Sequence, residues 1–155
     1  MTKVEDIGPY LEPVRKSITV RRTPVEAFEI FTGRFGSWWP VKKFSIHQAD
    51  TQTAVIEPRV GGAVYEIAAN GERAPWGQVR VWEPGVRFVM AWHPGHDASE
   101  AQEVEIRFVA EGEGTRVELE HRDWQKLGAK AAGTRDNYEQ GWVFVFETCF
   151  KEACS

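Results

Sequence analysis

At 155 residues with a formal net charge of -4 and no basic stripe, the chain has the length of one domain and lacks the electrostatic footprint of a nucleic-acid binder. Hydrophobic residues make up 42% and charged residues 27%, an ordinary globular balance, no apolar run reaches the ~18 residues of a membrane span, and Met1 to Asp6 open no signal peptide. The two cysteines, Cys149 and Cys154, fall five apart on a predicted helix and face different ways, so no disulfide is expected and a reducing, cytoplasmic setting fits.

Residues 1–14, with Gly8-Pro9 and Glu12-Pro13, read as an irregular lead-in to a single domain over 15–155. Lys16 to Arg21 alternates polar and apolar residues as a half-buried strand does. Thr23-Pro24 with Glu26 spells a capping box with proline at the first helical position, and Ala27, Phe28, Ile30 and Phe31 give that helix a buried face. Gly33 and Gly36 break it before the aromatic knot of Phe35, Trp38, Trp39 and Pro40, and residues 41–53 read as a loop.

Strands follow one another from Ala54: Ala54 to Glu57, Ala63 to Ala68, Gly77 to Trp82, Arg87 to Trp92, Glu103 to Val109 and Arg116 to His121. Turn signals lie between them, the clearest tight hairpin being Asn70-Gly71, and such short connections imply an antiparallel meander. In the last strand Val117, Leu119 and His121 share the inward face. The final element is predicted as a helix from about Thr134 to Ala153, capped by Thr134 or Gly133. Its apolar stripe is Tyr138, Trp142, Val145, Phe146, Cys149 and Phe150. The whole is an α+β chain in which a curved antiparallel sheet wraps a long C-terminal helix.

The ordered set of Ile18 to Arg21, Thr23 to Phe28, Phe31, Trp38-Trp39-Pro40, Gly62 to Glu66, Pro75 to Val79, Trp82 to Gly85, Arg87 to Trp92, Thr115 to His121 and Gly141-Trp142 resembles the START-like, helix-grip superfamily (SRPBCC). Within it the likeness is to the group named for homologues of the activator of the 90-kDa heat-shock protein ATPase, over roughly residues 15 to 152. The resemblance implies six or seven strands around the C-terminal helix, two short helices after the first strand, and a cavity between sheet and helix. Members of the superfamily bind lipids, hormones or polyketides, some act as cyclases or dehydratases, and some assist a chaperone. A cavity for a small hydrophobic molecule is therefore expected, with a His121-dependent enzyme or a chaperone-associated stress protein as the alternatives.

Seven tryptophans in so short a chain suggest an aromatic core or an aromatic-lined pocket. Trp38, Trp39, Tyr65, Trp76, Trp92, His121, Tyr138 and Trp142 are the expected ligand-binding set. His121 is the candidate acid or base, or else a structural histidine bonded to backbone or near Trp124; Arg135 and Tyr138 could join it, or Arg135 could be a solvated helix-start residue. His93, His96 and Asp97 fall in a turn without a further spaced ligand, so no metal is expected, and His47 stands alone in its loop. Of Tyr65 and Glu66 only one can face the cavity; Glu83 reads as a turn residue. Ser37, Ser45 and Ser99 have no adjacent base, Cys149 reads as core, and Gly61-Gly62 reads as a turn and not a phosphate cradle, so no cofactor is expected.

Overall fold

A computed structural model describes residues 10–155; most of the predicted lead-in therefore lies outside the described residues. Seven strands form one antiparallel sheet: β1 (Val14–Val20), β2 (Thr51–Ile56), β3 (Ala63–Ala68), β4 (Arg73–Glu83), β5 (Arg87–Trp92), β6 (Gln102–Glu111) and β7 (Gly114–Arg122). Their order is β1-β7-β6-β5-β4-β3-β2, so β2 to β7 form a continuous meander and β1 closes the far edge against β7. Between β1 and β2 lie the short helices α1 (Pro24–Gly33) and α2 (Phe35–Trp38). The sheet curls around the last helix, which begins as α3 (Ala131–Trp142).

The capping box forms as its sequence predicts: the Glu26 backbone N–H donates to Thr23 Oγ1 at 3.2 Å and the Thr23 N–H donates to Glu26 Oε1 at 2.9 Å. The Asn70-Gly71 hairpin forms too, with Gly71 at φ +90°, a conformation that favours glycine. The strands run longer than the sequence suggested, β2 beginning at Thr51 and β4 at Arg73, because pairing with β3 recruits residues whose own propensity reads as loop.

The last helix differs most from expectation. It starts at Ala131, emerging from a 3₁₀ stretch over Trp124–Lys130, and no side chain caps it, so neither Thr134 nor Gly133 has the role predicted for it. Past Trp142 the helix widens into π geometry over Val143–Phe150 and ends in one turn, Lys151–Ala153. Its dihedrals remain helical at both junctions, so the axis continues. Val145, Phe146 and Phe150 are buried, whereas Val143 and Phe144 face out. Phe31 of α1 meets Phe150 edge-on at 4.9 Å, which locks the end of this helix into the concave side of the sheet.

Candidate functional site

Four elements meet on the concave side of the sheet and border a cavity of about 490 Å³. Trp39 comes from the end of α2, Trp76 from β4, Trp92 from β5, and Asn137, Tyr138, Gly141 and Trp142 from α3, with Val145 just beyond it; Lys43, Phe44, Ser45 and Ile46 of the loop after α2 and the Pro94-Gly95 turn complete the lining. The four indoles interlock at the base: Trp39 lies 5.3 Å from Trp76, 5.7 Å from Trp92 and 5.7 Å from Trp142 between ring centroids. They reach this arrangement because Trp76 and Trp92 stand on neighbouring strands, where Gly77 pairs with Trp92. A Cβ on Gly77 would run into the Ala91 carbonyl, so the close approach of β4 and β5 beneath the indoles requires glycine.

Every indole N–H at the wall is held by an internal acceptor. Trp39 donates to the Phe44 carbonyl at 2.7 Å, Trp76 to Glu66 Oε1 at 2.6 Å, Trp92 to the Tyr138 hydroxyl at 3.0 Å, and Trp142 to His121 Nδ1 at 3.1 Å. The cavity is therefore faced by aromatic carbon and not by indole donors.

His121 lies one layer behind this wall. Its ring stacks on Trp124 at 4.0 Å, meets Tyr138 edge-on at 4.6 Å, and is fully buried. Because Nδ1 accepts from Trp142, the proton resides on Nε2, which donates to Gln102 Oε1 at 3.2 Å. Burial holds the imidazole neutral, its pKa well below the ordinary histidine value. With both nitrogens engaged and the ring screened, His121 reaches no guest directly; what it does is fix the Trp142 indole. Nor does Arg135 join it: its Nε donates to the Glu12 carbonyl at 2.6 Å and ties the start of β1 to α3. Tyr138 does join it, and burial pushes the phenol up to about 12 against the lowering effect of the Trp92 N–H.

Two further residues of the expected set stand apart from the cavity. Trp38 turns into the core, donating to the Phe31 carbonyl at 3.1 Å and packing on Phe35 and Phe150. Tyr65 lies on the outer face of the sheet with the Arg73 guanidinium 4.7 Å above its ring, because the phase of β3 turns Val64, Glu66 and Ala68 inward. Trp39, Trp76, Trp92, Tyr138 and Trp142 are the members of the set found at the wall.

The inward choice at β3 is Glu66, fully buried yet charged. Burial pushes its carboxyl up, but the backbone N–H groups of Ile46 and His47, the Trp76 indole and the His47 ring outweigh burial and hold it below the ordinary value. His47, isolated in sequence, is thus a partner of Glu66 at 2.6 Å, and its other ring nitrogen is 3.6 Å from Glu72. The loop after α2 was legible only as a loop. The signal for its anchor was the alternation Val64, Glu66, Ala68, which places a carboxylate in the core and so demands donors from some covering segment. The turn histidines pair locally, His93 Nδ1 with the His96 carbonyl at 3.2 Å and His96 with Glu100 at 3.4 Å, and Glu83 pairs with Arg87 at 2.9 Å.

Compared with known proteins, the chain matches the model for "Activator of Hsp90 ATPase homolog 1-like protein" over residues 22–151. No curated protein matches it in sequence. Among solved structures, an anthrahydroquino-gamma-pyrone synthase in complex with a ligand is 30% identical, covering 93% of this chain and 97% of its own at a TM-score of 0.62. The self-sacrificing resistance protein CalC of Micromonospora echinospora is 28% identical, covering 93% and 94% at a TM-score of 0.69. The Aha1 dimer of Colwellia psychrerythraea, 16% identical over 93% and 96% at a TM-score of 0.63, shares the fold. With the family model matched across most of its length and the sheet-and-helix architecture in place, this chain belongs to the activator of Hsp90 ATPase homolog 1-like family of the helix-grip superfamily.

Proposed function

We propose that this protein binds a compact, flat, largely apolar molecule in the cavity between the sheet and the last helix. The observation that carries the reading is a hollow of about 490 Å³ faced by indoles whose N–H groups are all engaged elsewhere. That volume lies within the range of about 300–1,000 Å³ usual for small-molecule pockets. Indole faces and edges favour an aromatic guest, since ring pairs gain about 0.5–1.5 kcal/mol beyond area burial. Each 100 Å² of apolar surface removed from water adds about 2.5 kcal/mol before ordering costs, enough for micromolar binding from a guest of modest size. The 30% identical neighbour is named as a synthase of an anthrahydroquino-gamma-pyrone, a fused-ring aromatic, which agrees with a guest of this shape.

Tryptophan fluorescence tests the reading, because Trp39, Trp76, Trp92 and Trp142 all border the site. Titration with fused-ring aromatics should give saturable quenching in the micromolar range, weaker with fatty acids. A flat response across aromatics, steroids and fatty acids would refute it. Native mass spectrometry of freshly purified protein would name the class of any retained cellular guest.

A further inference from the structure

Among the aromatic residues of the wall, the Tyr138 hydroxyl is the exception. It accepts a hydrogen bond from the Trp92 indole at 3.0 Å, and among the described residues no carbonyl, carboxylate or hydroxyl accepts its own proton. The phenol and its indole partner both border the cavity. The other indole N–H groups of the wall are committed: Trp39 to Phe44, Trp76 to Glu66, Trp142 to His121. Tyr138 is partly buried with its hydroxyl at the hollow, and a hydroxyl that already accepts an N–H is polarised toward donating.

We infer that the guest carries a carbonyl-type oxygen at its inner end and that the Tyr138 O–H donates to it, so that the protein selects flat aromatic ketones over the corresponding hydrocarbons. The inference rests on the proposed binding function and specifies the chemistry of the ligand. Three features of the site support it. The phenol stays protonated across the physiological range, as its raised pKa requires, so it is a constant donor. The edge-on His121 ring at 4.6 Å limits how the phenol can tilt. The Trp92 N–H occupies the oxygen, so a guest donor would compete for it whereas a guest acceptor does not.

Fluorenone and fluorene differ by one carbonyl on the same flat skeleton and serve as the probes. Wild-type protein is titrated with each by fluorescence, and the fluorenone carbonyl stretch is recorded by infrared spectroscopy in the bound state. The expected result is that wild-type protein binds fluorenone about tenfold more tightly than fluorene, and that this preference is reduced in Tyr138→Phe. The bound carbonyl stretch should lie at lower frequency in wild-type protein than in an apolar solvent. Fluorene binding together with an unshifted fluorenone carbonyl would overturn the inference while leaving the cavity reading standing. Failure of both probes to bind would remove the cavity reading and the inference with it. The infrared shift needs only wild-type protein, so the outcome does not depend on how well the variant folds.

Discussion

Glu66 on β3 accepts both the backbone N–H of His47 at 2.8 Å and its imidazole Nδ1 at 2.6 Å, so one buried side chain fastens the main chain and the ring of the loop that rims the cavity. The same carboxylate receives the Ile46 N–H at 2.6 Å and the Trp76 indole at 2.6 Å, which couples the rim to the aromatic wall.

Replacing Glu66 with Gln puts an NH₂ group against some of these donors and leaves others short of an acceptor. The expected cost is about 3 kcal/mol of unfolding free energy, as for breaking a buried charged network from one side. Chemical denaturation measures it; a loss below about 0.5 kcal/mol would mean the loop is held by other contacts, chiefly the Trp39 bond to Phe44.

Attachment of this loop should depend on pH from both sides. The Glu66 hydrogen bond raises the His47 pKa above its ordinary 6.5, so its contribution is complete below that value and lost as pH rises through the raised one. The Glu66 pKa is lowered from 4.5, so its contribution is complete above that value and lost as pH falls through the depressed one. Hydrogen exchange at Ile46 and His47, corrected for intrinsic rates, should therefore be slowest in mildly acidic solution between these two ordinary values. Protection that is flat with pH would contradict the pairing.

Buried and neutral, the His121 imidazole should stay uncharged through the range in which ordinary histidines protonate, with its proton on Nε2, as nitrogen NMR shifts would report. His121→Ala removes the stacking on Trp124 and the acceptor of Trp142, an expected loss of about 2–4 kcal/mol. A histidine that titrates near its usual value would mean that water or a guest reaches the ring.

Gly141 places bare helix backbone at the cavity wall, and a Cβ there would meet only Phe44, at an ordinary 3.8 Å. Gly141→Ala should stabilise the helix by about 0.5–1 kcal/mol. Gly141→Leu would extend its side chain into the hollow and is expected to weaken binding of fused-ring aromatics by at least about tenfold without unfolding the protein. Undiminished binding in the leucine variant would locate the guest elsewhere.

On the outer face Glu105 accepts from Arg107 at 2.7 Å, Arg122 at 2.6 Å and Arg87 at 3.2 Å. Burial pushes its carboxyl up, but the three guanidinium groups outweigh it and hold the pKa down to about 2 from 4.5. This depressed value means stability present above 4.5 and lost as pH falls toward about 2, of order 3 kcal/mol in all. Glu105→Gln should flatten the acid limb of the stability profile; an unchanged limb would assign acid unfolding to other carboxylates.

Local chemistry determined much of this molecule in advance. The capping box of Thr23 and Glu26, the Asn70-Gly71 turn and the alternation of Val117, Leu119 and His121 each specify conformation within a few residues, and all three are found as the sequence reads. The inward direction of His121 followed from strand phase alone. Its isolation from the cavity did not, because the screen is made by Tyr138 and Trp142, distant in sequence, together with neighbouring Trp124.

The sequence by itself determined the elements, their antiparallel order, the family and the residue types that build the wall, because period, turn chemistry and capping act over short range. Tertiary structure alone decided which aromatics face the hollow, that Trp38 and Tyr65 do not, and that His47 is the partner of Glu66. It also decided that the interlocked indoles leave space beside them. The physical reason is that a cavity and a buried charge are properties of surfaces meeting across the fold, and neither is encoded in any one stretch of chain.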